Sequence, residues 1–290
     1  MKRTATLIMA LTMAFISNTV NAADAPAGAG GSFKGPLGIQ LYSLREQFKQ
    51  DVPGTLAKVH AMGFHDLELA GTYGKTTEEF NALLKANHLR AVAGHFGYDR
   101  FAKDPEGVAK EAKELGLEYA GTAWVPHTGQ VTEEWVRETA KVFNHAGEVL
   151  AKHGIKFFYH NHGYEFVPHG DGTLFDLLMA ETKPEFVSFE MDVMWVVFPG
   201  QDPVKLMEKY GNRWALMHVK DLKKGVETGS LSGGTDTKND VVIGTGQTDW
   251  PALLRASKKA GVKYYFIEDE SPTVLEQIPQ SLKYLKQVKF

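Results

Sequence analysis

The sequence predicts an α/β fold in which eight strands alternate with eight helices, a single (β/α)8 barrel of the TIM type. Short β-prone runs alternate with amphipathic helical stretches from residue 37 to the end of the chain. Four of the predicted helices end in a glycine shortly before the next strand, namely Gly63, Gly116, Gly154 and Gly261. Several predicted strands also end in ionisable residues, which is typical of the rim where such a barrel builds its site.

Each element follows from its composition and period. Apolar and β-branched runs predict strands at 38–43, 65–70, 90–96, 118–124, 156–162, 186–192, 214–219 and 263–268. Helical spacing of apolar residues predicts helices at 52–62, from 76 onward, 104–115, 132–153, 174–182, 202–210, 249–260 and 274–288. The alternative is an open doubly wound sheet, which favours a phosphate-binding glycine turn after an early strand. The chain has only Gly244-Thr245-Gly246, late and before a helix, so we expect no dinucleotide site.

The first residues read as a targeting signal. Lys2 and Arg3 precede an apolar run over 7–16, and small residues follow, which predicts a signal peptide over 1–22 that is cleaved after Ala22. A membrane anchor is the alternative, but the run is shorter than the roughly 20 apolar residues that a span needs. The Ala/Gly/Pro-rich stretch 23–36 is predicted to be a flexible leader, and 37–290 is the barrel domain. We therefore expect an exported protein, periplasmic or secreted.

Composition narrows the partners. The chain contains no cysteine, which excludes disulfides and thiolate metal ligands. Removal of Lys2 and Arg3 with the signal would leave 30 of the 32 basic residues against 35 acidic ones. No block of lysine and arginine is long enough to follow a phosphate backbone, so we expect no nucleic-acid partner. No other segment is apolar enough to span a membrane, and we expect none to do so after signal cleavage.

The stretch 158–166 places two histidines and a carboxylate at the end of the fifth predicted strand. His160 and His162 alternate, so both side chains can point into the barrel, and Glu165 follows in the loop. His95 and His218 also end predicted strands, unlike the histidines of the predicted helices. We predict that these strand-end histidines act together.

Carboxylates end two further strands. Glu190 and Asp192 alternate on the sixth strand, and Glu268 and Glu270 on the eighth. A buried unpaired carboxylate is costly, and a divalent cation would remove that cost, with a salt bridge to Lys220 as the alternative. Mixed imidazole and carboxylate ligands favour Mn²⁺, Co²⁺, Zn²⁺ or Fe²⁺ over Ca²⁺.

Other strand-end residues are candidates for catalysis and binding. Proton transfer or binding of substrate hydroxyls is predicted for Glu68 and His95, although Glu68 could be an ordinary ion-pair partner inside the barrel. His162 and Lys220 complete the predicted catalytic set. Flat aromatic faces can stack on a sugar ring, and the predicted substrate-binding set is Tyr42, Trp124, His160 and Trp195. A small carbohydrate is therefore the expected partner, and the oligomeric state is left open.

With these motifs the chain resembles the sugar phosphate isomerase/epimerase superfamily, the xylose isomerase-like TIM barrels, over nearly all of 37–290. The motifs that carry the resemblance are Tyr159-His160-Asn161-His162 with Glu165, Met191-Asp192, His218-Val219-Lys220-Asp221, Gly244-Thr245-Gly246 before Asp249-Trp250, and Ile267-Glu268. The resemblance implies one divalent metal ion held by Glu165, Asp192, His218 and Glu268. In many members the strand-five glutamate lies within the strand. Here Glu165 must reach back from the loop, or His160 or His162 replaces it.

The resemblance implies a metal-dependent isomerase or epimerase of a keto or aldo sugar. Such an enzyme removes a proton next to a carbonyl group, and the metal stabilises the resulting enediolate. The runner-up is an exported lyase or hydratase of a 3-keto-glycoside, because expulsion of a β-leaving group follows the same half-reaction. A non-catalytic sugar-binding protein is the alternative from another class. A nuclease shares this barrel, but the acidic charge argues against it.

Overall fold

The structure, a computed structural model, describes residues 27–290. The predicted signal peptide over 1–22 and the first leader residues, 23–26, lie outside the described residues. Among the helices that are described, none combines the length and the apolar character that crossing a membrane requires.

Eight parallel strands close into a barrel, which confirms the predicted (β/α)8 fold. The strands are β1 (Leu37–Gln40), β2 (Asp66–Leu69), β3 (Arg90–His95), β4 (Tyr119–Thr122), β5 (Lys156–His160), β6 (Val187–Asp192), β7 (Trp214–Val219) and β8 (Tyr264–Ile267). Each strand pairs with its neighbours in sequence, and β1 closes the barrel against β8. All eight carboxyl ends therefore lie on one rim.

Eight helices follow the eight strands, and each predicted helix bound agrees with the structure within one residue. The helices are α1 (Val52–Ala61), α2 (Thr77–Ala86), α3 (Pro105–Glu114), α4 (Glu133–Lys152), α5 (Leu174–Glu181), α6 (Pro203–Tyr210), α7 (Trp250–Ala260) and α8 (Val274–Gln287). An Asp or Thr side chain caps the start of every helix from α1 to α7 by accepting a backbone N–H of the first turn. The agreement reflects these local capping signals.

Differences from the prediction are concentrated at the strand ends. Three short helices that were not predicted, Arg45–Phe48, Tyr98–Lys103 and Val193–Val197, follow β1, β3 and β6. The first strand ends three residues earlier than expected because Gln40 Oε1 accepts a hydrogen bond from Tyr42 N at 3.0 Å and turns the chain. Likewise β5 ends at His160, so His162 lies in the following loop. Hydrogen bonds to polar side chains at the rim override the strand pattern there.

Aromatic side chains fill the barrel below the rim. Tyr119, Phe158 and Phe266 belong to one buried cluster contributed by strands on opposite sides of the barrel. The Phe158 ring packs directly on β4, where a Cβ on Gly121 would lie only 2.1 Å from the Phe158 carbonyl oxygen. The barrel interior is therefore a packed core at this level.

Residues 27–36, predicted as part of a flexible leader, are packed against the barrel. Phe33 is buried and meets the Tyr265 ring edge-on at 5.1 Å. Ser32 Oγ accepts a hydrogen bond from Phe290 N at 3.1 Å. The expectation of flexibility does not hold for these residues, because one apolar ring anchors a stretch whose average composition is small and polar.

Asp221 organises the long loop between β7 and α7. Its buried carboxylate accepts hydrogen bonds from Gly244 N at 2.9 Å, Gly246 N at 3.0 Å and Trp250 Nε1 at 2.9 Å. Two motifs that are distant in sequence, 218–221 and 244–250, are thereby joined in space. The loop is tied to the barrel at the point where the site begins.

We expect replacement of Asp221 by alanine to lower the free energy of unfolding by about 3 kcal/mol or more, because several buried N–H groups lose their only acceptor. Equilibrium unfolding in urea measures this loss. The control is Asp236→Ala, which removes an exposed turn acceptor for Lys238 N at 3.0 Å and should cost about 1 kcal/mol or less. Equal losses for the two variants would contradict the role assigned to Asp221.

Candidate active site

The carboxyl-terminal rim of the barrel encloses a cavity of about 650 Å³. Its walls come from segments that follow strands on all sides of the barrel. The predicted site residues that line it are Tyr42, His95, Trp124, His160, His162, Trp195 and Glu268. Most of the predicted site residues therefore meet at one place, although they come from six different strand ends.

Three predicted metal ligands converge beside this cavity. Nδ1 of His218 lies 3.2 Å from Glu268 Oε2 and 3.6 Å from Asp192 Oδ2. One donor atom from each residue lies within 4.8 Å of the other two, so a single ion could contact all three. All three side chains are buried or nearly so.

His160 supplies a fourth donor. Its Nε2 lies 3.8 Å from Asp192 Oδ2, and its ring centroid is 4.5 Å from that of His218. Donors bonded to a tetrahedral ion at about 2.0–2.2 Å lie roughly 3.5 Å from one another. The spacing of these four groups, which we call the ligand cluster (His160, Asp192, His218 and Glu268), therefore fits one tetrahedral ion.

Two carboxylates behind the ligand cluster hold its imidazoles. Glu190 Oε2 lies 3.2 Å from Nδ1 of His160, and Glu68 Oε2 forms a short hydrogen bond with Nε2 of His218. Gln40 Nε2 in turn donates to Glu68 Oε2 at 2.7 Å. Histidine ligands commonly donate their second N–H to a carboxylate, which fixes the ring and raises its basicity. The two nitrogens left for an ion are Nε2 of His160 and Nδ1 of His218.

The polar atoms of the cluster fit a cation. Asp192 Oδ2 is buried and has no hydrogen-bond partner in the part of the chain that the structure describes. Burial raises the pKa of Asp192, which shows that its charged form lacks sufficient partners. A divalent ion would supply the missing counter-charge. Nitrogen and oxygen donors in this mixture suit Zn²⁺, Co²⁺, Mn²⁺ or Fe²⁺ and do not distinguish among them.

His95 stands between two carboxylates and reaches the cavity. Its Nε2 lies 3.2 Å from Glu68 Oε1 and 3.3 Å from Glu190 Oε2. Burial alone would lower the pKa of His95, but these two carboxylates outweigh burial and raise it to about 9. The ring is therefore protonated at neutral pH and can act as a proton donor.

His162 offers the opposite chemistry. Its ring lines the cavity 5.0 Å from His160 and 5.4 Å from Trp195, measured between centroids. Its Nδ1 is buried and has no hydrogen-bond partner among residues 27–290. Burial, together with the nearby Lys220, lowers the pKa of His162 to about 3, so the imidazole is neutral. A neutral ring with a free nitrogen can accept a proton from a bound molecule.

Glu68 and Lys220 were predicted to act on the substrate, but neither lines the cavity. Both side chains are buried and bonded to other site groups. Lys220 Nζ donates to Glu268 Oε2 at 3.0 Å and to Glu270 Oε1 at 2.7 Å. The structure thus places Glu68 where it positions His218, and Lys220 where it positions Glu268. Contact with substrate hydroxyls is not open to them in this arrangement.

Glu165, the remaining predicted ligand, lies outside the ligand cluster. Its carboxylate accepts hydrogen bonds from His162 N at 3.0 Å and from the Tyr159 hydroxyl. The one-turn helix Tyr164–Phe166 turns the chain back on itself and directs this side chain to the loop backbone. Burial raises the pKa of Glu165 to about 7. Of the open alternatives for strand five, the geometry therefore favours His160.

We expect Glu165→Gln to retain the metal content of the unmodified protein. The amide oxygen can still accept the His162 N–H, and the side-chain volume is nearly unchanged. A modest loss of stability, about 1 kcal/mol, is expected because one oxygen acceptor is lost. Elemental analysis of dialysed, metal-loaded protein measures the outcome. A variant that loses its metal as completely as a cluster variant would return Glu165 to the ligand set.

The aromatic residues and the β7–α7 loop form the walls. Tyr42, Trp124 and Trp195 all line the cavity, as predicted for a substrate pocket. The loop approaches closely, because a Cβ on Gly233 would lie 2.7 Å from the Trp124 ring. Gly229 N also donates to Phe198 O at 2.8 Å. The loop over 223–248 is thus part of the wall of the site.

Three site residues were not assigned from the sequence. Gln40 lines the cavity and holds Glu68, and its signal was a polar residue at the end of β1. Glu190 was recognised as inward-facing but received no role, whereas the structure places it between His160 and His95. Asp99 lines the cavity from the short helix after β3, and no pattern in the sequence marks it.

The fold and the site together define a class of protein: a single (β/α)8 barrel whose carboxyl-terminal rim gathers histidines and carboxylates around a cavity, with a candidate site for a divalent metal. The family model of the xylose isomerase-like TIM barrel matches residues 56–288. The chain therefore belongs to the xylose isomerase-like TIM barrel family.

Similar proteins process sugars and polyols. An inosose dehydratase of Lactiplantibacillus plantarum is 27% identical over 194 residues, covering 59% of this chain and 63% of that protein. The chain thus matches somewhat less than two thirds of this relative's length. An inosose dehydratase of Clostridium tetani is 34% identical over 94 residues, 32% of this chain and 30% of that protein. Both relatives are named for a dehydration.

Solved structures support the fold over a longer span. A sugar phosphate isomerase/epimerase from Parabacteroides distasonis is 26% identical and superposes with a TM-score of 0.72, covering 91% of this chain and 98% of that one. The IOLI protein, solved with a bound zinc atom, superposes with a TM-score of 0.66 over 87% of this chain and 95% of that one. At 13% identity it shows the shared fold alone.

Proposed function

We propose that this protein is a metal-dependent lyase that removes a proton next to a carbonyl group of a carbohydrate and expels a hydroxyl or alkoxyl group from the neighbouring carbon. The observation that carries the proposal is the ligand cluster at the cavity floor, flanked by one neutral and one protonated histidine. An ion bound by His160, Asp192, His218 and Glu268 would act as a Lewis acid on the substrate's carbonyl oxygen.

The residues of the chain divide the proton transfers between them. His162 Nδ1, which has no partner among the described residues, accepts the proton from the carbon next to the carbonyl. The electrons of that C–H bond form the new double bond as the neighbouring C–O bond breaks. His95, protonated between Glu68 and Glu190, donates a proton to the departing oxygen. Histidines whose environments shift their pKa values in opposite directions suit such a division of roles.

The walls of the cavity favour an unphosphorylated substrate. No lysine or arginine is among the described residues that line it, whereas Asp99, Glu268 and Glu270 are. A phosphate group would meet negative charge here without a positive partner. A neutral polyol can instead donate its hydroxyls to these carboxylates. The proposal therefore names a sugar, an inosose or a glycoside that carries a ketone.

A sugar isomerase or epimerase is the second candidate. The solved relative from Parabacteroides distasonis, matched over 91% of this chain, carries that name. The first step is the same, and only the fate of the proton differs. Elimination is favoured because the curated relatives are dehydratases and because His95 offers a separate acid for a leaving group.

Proton exchange in D₂O distinguishes these outcomes. Metal-loaded protein is incubated with an inosose, a 3-keto-glycoside and simple keto sugars, and the products are followed by NMR. A new unsaturated ketone with release of water or alcohol supports the lyase. Deuterium incorporation with formation of an isomer identifies an isomerase or epimerase. Absence of both label and product throughout the panel would contradict the proton abstraction proposed for His162.

A further inference from the structure

The mouth of the cavity carries aromatic side chains that are unusually exposed. Among residues 27–290, the exposed large hydrophobic side chains are Tyr42 (45%), Trp124 (47%) and Leu275 (42%). Tyr42 and Trp124 both line the cavity, and Leu275 does not. Tryptophan is highly buried on average, so a half-exposed indole in a cavity wall indicates a surface kept for contact with a ligand.

Trp124 is held rigidly by its neighbours. The Tyr164 ring meets it edge-on at 5.2 Å, and the His162 ring does so at 5.6 Å. His127 packs beside it at 5.1 Å with the planes tilted by 30°, and Gly233 approaches its far edge. Because the indole is already immobilised, a ligand that stacks on it loses little additional side-chain entropy in the protein.

The opposite wall is polar. The Arg45 guanidinium stacks on the Tyr42 ring at 4.5 Å and lies 3.5 Å from Glu270 Oε2. Glu270 is further neutralised by Lys220 at 2.7 Å and lines the cavity itself. This wall can accept hydroxyl protons while Trp124 offers a flat apolar face, a combination that matches a ring with hydroxyls on its edge.

The cavity is also larger than the reaction requires. A single sugar ring occupies about the volume of six water molecules at roughly 30 Å³ each, which is under a third of the available space. The cavity measures about 650 Å³. If the reacting ketone lies at the ligand cluster, substantial room remains between that ring and the exposed aromatics at the mouth.

We propose that the cavity contains a second subsite at its mouth, in which Trp124 stacks on a second ring joined to the reacting carbohydrate. The substrate is then a glycoside with a ring-shaped aglycone or a second sugar, rather than a free monosaccharide. This inference rests on the proposed function for its orientation, with the reacting ring at the ligand cluster. Trp124 acts here through binding and takes no part in proton transfer.

Unreactive glucosides test the subsite without requiring catalysis. The probes are methyl β-D-glucoside, phenyl β-D-glucoside and cellobiose, and calorimetry or ligand-observed NMR on metal-loaded protein measures their affinities. We expect phenyl glucoside or cellobiose to bind roughly fivefold or more tighter than methyl glucoside, a typical gain from ring stacking. The probe that gains more identifies whether the second ring is aromatic or a sugar.

Variants assign the gain to Trp124. Trp124→Ala should abolish the difference between two-ring and one-ring probes, Trp124→Phe should retain part of it, and Leu275→Ala should leave it unchanged. Melting temperatures and metal content verify that the variants are folded and loaded. Equal affinities for all probes in the unmodified protein, or a difference that survives Trp124→Ala, would overturn the subsite. Because no probe carries a ketone, failure of the lyase reaction would leave this result separate.

Discussion

Replacement of Asp192 by asparagine is expected to abolish metal binding and nearly all activity while leaving the fold intact. Asp192 Oδ1 accepts a hydrogen bond from Trp195 N at 3.0 Å, and an amide oxygen can keep this contact. The other oxygen lies 3.6 Å from Nδ1 of His218 and 3.8 Å from Nε2 of His160. Asparagine places an uncharged NH₂ group there, which cannot serve as a ligand.

The expected loss is large because Asp192 is placed to contact the ion directly. Groups that only orient ligands already cost about 10- to 100-fold in metal affinity or activity when they are changed. We therefore expect kcat/KM to fall at least about 100-fold, with the bound metal reduced to background in elemental analysis. The thermal shift that Zn²⁺, Co²⁺ or Mn²⁺ gives the unmodified protein should also disappear.

Asp202→Asn is the matched control. Asp202 begins α6 by accepting backbone N–H groups at 2.9 and 3.1 Å, as Asp192 does for the short helix after β6. It lies on the surface, away from the cavity. This variant should retain its metal and its activity. If Asp192→Asn also keeps a full complement of metal, the ligand cluster has been assigned wrongly.

Replacement of His162 by alanine is expected to lower kcat by about 10²- to 10⁴-fold, the usual contribution of a general base. Metal content should remain unchanged, since the donors assigned to the ion lie on His160, Asp192, His218 and Glu268. The side chain of His162 also leaves a space that added imidazole can enter. Partial recovery of kcat with imidazole would identify proton transfer, because a purely structural defect does not respond to a free base.

His169→Ala is the control for this experiment, since His169 is partly exposed and lies 3.8 Å from Glu133 on the outer surface. It should retain kcat and show no response to imidazole. Two results would contradict the role of His162: an unchanged kcat in His162→Ala, or a loss of metal that parallels the loss of activity. The Asp192 and His162 variants thus separate metal binding from proton transfer.

The barrel itself was predictable from the sequence because its signals are local. Strand and helix periods, Asp or Thr caps, and glycines such as Gly261 after a helix act over a few neighbouring residues. The short helices at the rim were missed because side chains such as Gln40 compete for backbone N–H groups there. The leader over 27–36 was missed because a single ring, Phe33, packs on a residue distant in sequence.

The site was predictable in its location but less so in its connections. Alternation on β6 predicted that Glu190 and Asp192 face inward together, and both do lie at the site. The different roles of Glu165 and His160 depend on a one-turn helix that directs Glu165 to the His162 N–H. Neither spacing nor residue type contains that information.

By itself, the sequence determined the barrel, the rim on which the site lies, and the chemical types of side chain that meet there. These follow from periodicity and from which residues end each strand. Only the tertiary structure decided which nitrogen of His160 and of His218 remains free, and that Glu68 and Lys220 hold other site groups instead of a substrate. The physical reason is that a polar atom's role depends on which partners already satisfy it, and those partners come from strands far apart in sequence.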